Sequence, residues 1–300
     1  MRNIQNFNKW LIFIWERFLP YTHLPFILLY FVAHYIFYLS SSLESILTIK
    51  LLILFMGTLV FFFKLRLYDE LKDYQNDLIV HPNRPLIRGL LSHRDLYKGI
   101  YVAIILELIS FGIFGFRGLL AVGIPIIYSL LMFKEFFIRS WIRSHLTVYA
   151  LTHTLVSALF SLALIATFKS SLIWNLNANS YLFALMSWCL FNVFEFGRKT
   201  FISSEEHRGI GSYSKIYGRF GATLLVICMA IISKFILDKI SPNNSVPIVT
   251  SIAILLLSFV ALLYAFFNKQ PLGKIYRGFS LAFIGFVYAI FITAYGRTNF

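Results

Sequence analysis

Charged residues are scarce in this 300-residue sequence. Only 13% of the residues are Asp, Glu, Lys or Arg, whereas 59% are hydrophobic. The mean hydropathy is +0.75, which lies far outside the balance of apolar and charged residues in soluble domains. This composition excludes a soluble globular protein and predicts an all-α, polytopic membrane protein.

Cysteine is scarce as well, and its placement excludes further classes of site. Cys189 and Cys228 both lie in apolar stretches without a C-x-x-C or His-rich neighbour, so we expect neither a disulfide framework nor structural zinc. The net charge of +14 has no accompanying basic helix, zinc-finger spacing or RNA-binding aromatic motif. We therefore expect no nucleic-acid partner.

Long apolar runs dominate the rest of the chain. Because about 20 mostly apolar residues cross a bilayer as a helix, the sequence predicts nine transmembrane helices in one membrane-embedded domain, residues 1–300. They lie at residues 22–39, 46–63, 99–116, 118–133, 146–168, 180–197, 219–237, 247–267 and 278–295. No small-residue cleavage site follows a short apolar core near the N-terminus. We therefore expect residues 1–21 to lie at the membrane interface as an amphipathic segment rather than to be removed.

Basic residues are distributed unevenly between the two predicted sides. The N-terminus and the loops after spans 2, 4, 6 and 8 hold 21 of the 27 Lys and Arg residues. The positive-inside rule therefore places these segments in the cytoplasm. Most acidic residues lie on the same side, so we expect any chemistry on the cytoplasmic face of a multi-pass protein of a bacterial cytoplasmic membrane.

The densest charged run is RLYDELKDYQNDLIVHPNRPLIRG, residues 66–89. Asp69, Asp73 and Asp77 are spaced i, i+4, i+8, which places their side chains along one stripe of a helix. Like charges at this spacing repel each other, so a cation is needed beside them. Either Arg66, Lys72 and Arg84 supply it in a solvated face, or a divalent cation such as Mg²⁺ is shared between the carboxylates and a substrate phosphate.

The same run resembles the first aspartate-rich motif of the UbiA superfamily of intramembrane prenyltransferases. That motif is N-x-x-x-D-x-x-x-D, with an N-R-P-L segment shortly after it. Here Asp69 replaces the family's Asn, Asp73 and Asp77 match its two aspartates, and residues 83–89, NRPLIRG, match the downstream segment. The resemblance implies nine helices arranged around a central cavity.

The second motif of that family is represented by a divergent segment after the sixth span. It offers Glu195, Arg198, Lys199, Glu205 and Glu206, followed by RGIGSYSKIYG, in which Gly209, Ser212, Tyr213 and Gly218 resemble the trailing part. Glutamates stand where the family has aspartates. Lys134, at the end of the fourth span, resembles a lysine that touches the diphosphate, although the family's usual Y-x-x-x-K context is absent.

The resemblance implies transfer of an isoprenoid chain from a polyprenyl diphosphate to an aromatic or other lipophilic acceptor within the membrane, with Mg²⁺ as cofactor. The implied metal ligands are Asp69, Asp73, Asp77, Glu195, Glu205 and Glu206. The groups expected to act on the diphosphate are Arg66, Lys72, Arg84 and Lys134, together with Arg88, Arg198 and Lys199 as further binding residues. The acceptor and the chain length are left open.

Two other functions remain open from the sequence. A membrane terpene cyclase would use the same metal site without an acceptor. A transporter or an inert scaffold would use neither, although transporter sites usually lie near the bilayer midplane, away from the charged face described above. His34, His153 and Glu107 lie within or beside apolar spans, and the sequence does not decide whether they pair with neighbouring helices or contact a substrate.

Overall fold

The computed structural model describes residues 2–39, 48–206, 211–241 and 246–299, with side chains described from residue 8 to residue 295. Every regular element in these ranges is helical, which confirms the all-α prediction. The α-helices are α1 (Arg2–Arg17), α2 (Pro20–Leu39), α3 (Thr48–Lys72), α4 (Tyr74–Val80), α5 (His93–Gly112), α6 (Phe116–Phe133), α7 (Arg139–Ser144), α8 (Leu146–Phe168), α9 (Ala178–Arg198), α10 (Tyr213–Ile240), α11 (Val246–Phe266) and α12 (Gln270–Asn299).

Eight helices in the described ranges are long and apolar enough to cross a membrane, namely α2, α3, α6 and α8 to α12. They confirm an integral, multi-pass membrane protein. The third predicted span, residues 99–116, corresponds to α5, which has 20 residues but is not among the eight. Its composition is less apolar because it carries Arg94, Asp95, Lys98 and Glu107. A ninth span therefore stays a prediction.

Two predicted helix boundaries were wrong. The second span was expected to end at residue 63, but α3 continues as a helix to Lys72; residues 46 and 47, its expected start, lie outside the described residues. The third span was expected to end at residue 116 and the fourth to begin at residue 118. Instead α5 ends at Gly112, the turn contains Gly115 with φ +87°, and Arg117 lies in the first turn of α6.

The long helices close into a ring. Along the chain each packs against the next, from α2 and α3 through α5, α6, α8, α9, α10 and α11 to α12, and α12 returns to pack against α2. Helix α9 also packs against α12 across the ring. Because consecutive helices alternate in direction, α3, α6, α9 and α11 end where α5, α8, α10 and α12 begin. We call this end of the ring the polar end.

Aromatic side chains fill the middle of the ring. Tyr30 makes edge-to-face contacts with Phe62, Phe191 and Tyr288 at ring-centroid distances of 5.6, 5.9 and 6.0 Å. Phe62 and Phe191 stack at 5.7 Å. Such pairs stabilise a core beyond the area that they bury. At this depth the predicted central cavity is occupied by packed rings from α2, α3, α9 and α12.

A buried ion pair joins α3 to α5. Lys64 Nζ donates to Glu107 Oε2 at 2.6 Å, and both side chains are fully buried. Lys64 was expected in a cytoplasmic loop, and this prediction was wrong because α3 extends past residue 63. Pairing also answers the question left open for Glu107. An unpaired charge at this depth would be strongly destabilising, so the two residues hold the helices in a fixed register.

Helix α1 packs onto the polar end of the ring. Phe13 is fully buried and makes edge-to-face contacts with Trp10 at 5.8 Å and with Phe63 of α3 at 6.0 Å. At the end of α1, Arg17 Nε donates to Glu70 Oε2 at 2.7 Å. The N-terminal segment is thus helical and attached to α3; its position at a membrane interface stays a prediction.

The close approach of α5 and α6 requires glycine at position 118. A Cβ added there would lie 2.3 Å from the carbonyl oxygen of Phe111, whereas one at Gly123, in the same helix, would have nothing within 4 Å. We expect Gly118→Ala to lower the free energy of unfolding by about 1–3 kcal/mol through overpacking. Thermal unfolding of the purified protein in detergent measures this effect.

Gly123→Ala is the matched control and is expected to leave the melting temperature unchanged or to raise it, since alanine favours a helix over glycine by up to about 1 kcal/mol. Equal melting temperatures for the Gly118→Ala and Gly123→Ala variants would contradict the proposed contact.

Candidate active site at the polar end

The first charged segment begins in the last turns of α3 and continues through a bend into α4. The backbone N–H of Asp73 donates to the carbonyl of Asp69, and that of Asp77 donates to the carbonyl of Asp73, both at 2.9 Å. Asp73 itself has helical dihedral angles, φ −88° and ψ 0°. The helical spacing therefore continues through all three residues, as the pattern predicted, and Asp69 and Asp77 both lie close enough to Asp73 to act on its carboxylate.

Two of these three carboxylates have cationic partners. Asp69 lies 3.5 Å from Arg66 Nη1 and 3.8 Å from Lys72 Nζ. The buried carboxylate of Asp77 pairs with Arg84 Nη1. The local basic residues thus compensate the first and third aspartates directly.

Asp73 differs from its neighbours because, among the described residues, it has no ion pair within 4 Å. Burial raises the pKa of its carboxyl above the usual range, and the nearby charges of Asp69 and Asp77 raise it further. Lys72 and Arg84 act in the opposite direction without cancelling this effect. A half-buried carboxylate that is crowded by two others is a place where an added cation would be stabilised.

Tyr149, in the first turn of α8, joins the two charged segments. Lys72 Nζ donates to its hydroxyl at 3.1 Å and lies 5.5 Å from its ring centroid. Lys199, which follows α9, places its Nζ 5.8 Å from the same ring. Asp69 also interacts electrostatically with Arg198. The segments after α3 and after α9, about 130 residues apart in the sequence, therefore meet at one site.

The glutamates of the second segment already have partners. Glu195 accepts from Arg198 Nε at 2.6 Å and pairs with Lys199 Nζ at 2.8 Å. Glu205 accepts two hydrogen bonds of 2.7 Å from Arg277 on α12. Glu206 accepts from the hydroxyls of Ser212 and Ser214, at 2.6 to 2.8 Å. Gly209, which belongs to the trailing part of this motif, lies outside the described residues.

Arg88 and Lys134, both expected to bind the diphosphate, lie in different surroundings. The exposed guanidinium of Arg88 pairs with Glu16 of α1 at 2.6 Å, so it is engaged away from Tyr149. Lys134 follows α6, and its Nζ lies 5.5 Å from the ring centroid of Phe133. Lys134 and Lys72 both line a cavity of about 240 Å³ at the polar end, together with Leu71, His93, Tyr97, Phe133, Glu135, Arg139 and Arg143.

A left-handed turn forms one wall of this cavity. Glu135, Phe136 and Phe137 have φ values of 50°, 53° and 60°, a conformation that is costly for residues with a side chain. The buried carboxylate of Glu135 pairs with Arg139 at 3.1 Å and with Arg143 at 2.7 Å, and these pairs hold the turn. The two arginines thus have a structural role.

Tyr149, Glu135 and Arg277 were missed as site residues by the sequence reasoning. Tyr149 and Arg277 act on partners more than 70 residues away, which a local pattern does not reveal. The one available signal was the position of Tyr149, one helical turn before the intramembrane His153.

The carboxylates fit a divalent cation in part. No three or more His, Cys, Asp and Glu side chains in the described ranges are grouped as a metal-binding cluster. Mg²⁺, however, usually takes only one or two carboxylates, keeps several waters and completes its shell with substrate phosphates. Asp73, beside Asp69, meets that requirement, whereas Glu205 and Glu206 are held by their own partners.

The overall fold matches solved membrane-protein structures. A UbiA homologue from Aeropyrum pernix K1 aligns over 91% of this chain and 98% of its own, with a TM-score of 0.61 and 12% identity. A structure described as digeranylgeranylglyceryl phosphate synthase in membranes aligns over 92% of this chain and 98% of its own, with a TM-score of 0.56 and 19% identity. The UbiA-type fold expected from the motifs is thereby confirmed.

Comparisons of the sequence alone give no match. No protein-family model matches the chain, and no curated protein matches it.

The Glu205–Arg277 pair gives a pH-dependent contribution to stability. The hydrogen bonds that Arg277 donates hold the pKa of Glu205 below its ordinary value of 4.5. The pair therefore stabilises the fold above pH 4.5, and this stabilisation is lost as the pH falls through the lowered pKa. We expect Glu205→Gln to lower the free energy of unfolding by about 1–2 kcal/mol at pH 7 and by progressively less below pH 4.5. Melting temperatures measured against pH test this.

Glu16→Gln serves as the control because Glu16 also accepts two hydrogen bonds from an arginine, Arg88, but in an exposed pair. Its effect at pH 7 is expected to be below about 1 kcal/mol. A Glu205→Gln effect that does not change with pH would show that the carboxylate charge is not responsible.

Proposed function

We propose that this protein transfers an isoprenoid chain from a polyprenyl diphosphate to a lipophilic acceptor within the membrane. The observation that carries the proposal is the meeting of the two charged segments at Tyr149, which puts carboxylates and basic side chains at one end of a ring of apolar helices. A diphosphate carrying a long hydrocarbon tail needs charged side chains for its head group and apolar helices for its tail. The UbiA-type fold supports the same conclusion, and so does the neighbour described as a synthase acting in membranes.

The basic residues of the site would bind the diphosphate. Lys72 and Lys199 face Tyr149 from two helices, and Lys134 lies in the adjoining cavity with Lys72. Arg66, Arg84 and Arg198 are close to the aspartates or to Glu195. Positive charge placed in advance where negative charge grows stabilises the departing diphosphate as the allylic C–O bond breaks.

Mg²⁺ is the cofactor in this proposal, held by Asp73 together with Asp69 or Asp77. When bound, it would supply a Lewis acid that neutralises charge on the diphosphate oxygens. The side chain of Asp73 has no ion pair to break, whereas Asp69 and Asp77 would exchange or share their basic partners. Glu195 is a further candidate in exchange for Arg198 and Lys199, and we assign Glu205 and Glu206 to structural contacts.

The aromatic rings beside the site suit the carbon chemistry. The rings of Tyr149 and Phe133 lie next to Lys72 and Lys134, and ring faces stabilise cations, including an allylic cation. The packed helices exclude water, which would otherwise capture that cation. The acceptor then attacks the allylic carbon and loses a proton, which the released diphosphate accepts, and the tail lies among the helices or in lipid. We place this site on the cytoplasmic face, as the charge distribution predicts.

The experiment is to incubate the purified protein with Mg²⁺, a panel of prenyl diphosphates and a membrane extract, and to identify the lipid product by mass spectrometry. We expect a prenylated acceptor. A cyclised hydrocarbon or alcohol formed from the donor alone would favour the cyclase reaction instead. Flux of a solute into proteoliposomes without any product would favour a transporter and contradict the proposal.

Removal of the carboxylate without an ion pair tests the metal site. We expect Asp73→Asn to lower the turnover number by about 10²- to 10³-fold, as loss of one preorganised electrostatic group typically does, and EDTA to abolish turnover of the unmodified protein. Asp95→Asn is the control, since Asp95 caps α5 through Ser92 and asparagine retains an acceptor oxygen. Full turnover of the Asp73→Asn variant in EDTA would contradict a metal-dependent reaction.

A further inference from the structure

The last residue of α1 contacts the first charged segment twice. Arg17 Nε donates to Glu70 Oε2 at 2.7 Å, and Arg66 Nε donates to the backbone carbonyl oxygen of Arg17 at 2.8 Å. Arg66 and Glu70 are four residues apart in α3 and therefore share one face of that helix. Asp69, whose carboxylate lies 3.5 Å from Arg66 Nη1, is between them in the sequence. A residue of α1 thus holds the side chains on both sides of Asp69.

The two contacts of Arg17 support each other. The last four carbonyl groups of a helix have no partner within it and carry a partial negative charge, so the carbonyl of Arg17 is a good acceptor for a guanidinium. The side chain of Glu70 is only 1% exposed, and Arg17 is its one ion-pair partner in the described part of the chain. This pair fixes the end of α1 and, with it, the carbonyl that Arg66 uses.

Aromatic contacts hold α1 in place beside these polar ones. Trp10 packs so closely on α5 that a Cβ added at Gly99 would lie 2.7 Å from its ring. Phe18, which directly follows α1, meets Phe63 of α3 edge to face at 5.4 Å. Because α1 is fixed at both ends of its contact with the ring of helices, its last carbonyl has a defined position.

Arg66 is still open to a ligand. Its side chain is 32% exposed and that of Asp69 is 43% exposed. Its Nη1 and Nη2 donate no hydrogen bond within the described residues, since the only bond from this guanidinium is the one from Nε. Arg17 and Arg198 repel it electrostatically, so the carbonyl of Arg17 is needed to hold it there. A guanidinium held through Nε presents its two terminal nitrogens to phosphate oxygens.

We propose that Arg17 is a positioning residue of the reaction. Its carbonyl fixes the guanidinium of Arg66, and its pair with Glu70 fixes that carbonyl, so that Arg66 meets the diphosphate in one orientation. The inference rests on the proposed function, in which Arg66 binds the diphosphate. A side chain that is already ordered loses less conformational entropy on binding. Helix α1, which supplies none of the groups assigned to the diphosphate, thereby becomes part of the site.

The test measures the dissociation constant of inorganic pyrophosphate with Mg²⁺ by calorimetry on the full-length protein in lipid nanodiscs. We expect Arg17→Gln to weaken binding about five- to tenfold, as the loss of one net hydrogen bond allows. In an Arg66→Gln background, Arg17→Gln should cause no further change, because a positioning residue acts only through the group that it positions. A residue with a merely structural role would lower the melting temperature and leave the dissociation constant of the folded protein unchanged.

Glu16→Gln is the matched control, because the exposed Glu16–Arg88 pair also attaches α1 to the rest of the chain; binding should change by less than about twofold. If Arg17→Gln does not fold, Glu70→Gln removes the same pair from its other side and should weaken binding in the same way. An unchanged dissociation constant, an equal loss in the Arg66→Gln background, or no binding of pyrophosphate by the unmodified protein would overturn the proposal.

The outcome separates this inference from the proposed function. Weakened, non-additive pyrophosphate binding without any prenylated product would leave the positioning by Arg17 standing and remove prenyl transfer. A prenylated product together with an unchanged dissociation constant in Arg17→Gln would do the reverse.

Discussion

The contact of two lysines with one tyrosine organises the polar end of this protein. Lys72 ends α3, Lys199 follows α9, and both approach the ring of Tyr149 at the start of α8. Ammonium groups at this distance from an aromatic ring are attracted to its face, more strongly where water is excluded. The contact brings acidic and basic side chains from distant parts of the chain to a common place, and the proposed diphosphate site depends on it.

Charge compensation governs the rest of this end. Most carboxylates at the polar end pair with a basic side chain or accept from hydroxyls. Several of these pairs join two elements, as in Glu205 with α12 or Glu135 with the residues of α7. In an apolar environment, a charge without a partner of opposite sign lowers the stability of the fold. Asp73 departs from this pattern, and such departures are expected at functional positions, where a ligand completes the set of interactions.

The fold was largely predictable because an apolar run long enough to cross a bilayer has few alternatives to a helix. The boundaries were less predictable. Charged residues at the end of α3 suggested a loop, yet α3 continues as a helix to Lys72, and Lys64 lies inside it, paired with Glu107 of α5. The relation of Asp69, Asp73 and Asp77 followed from helical periodicity, which is local. The roles of Tyr149, Arg277 and Glu135 depend on tertiary contacts, which the spacing of residues within one segment does not contain.

The Lys64–Glu107 pair constrains how this sequence can change over evolutionary time. A neutral residue at either position alone would strand an ion in an apolar interior, whereas replacement of both by well-packed apolar residues can be neutral or even stabilising. The two positions are therefore expected to covary among homologous proteins, either both charged or both uncharged. Homologues that keep only one of the two charges would show that the remaining ion has found another partner or access to water.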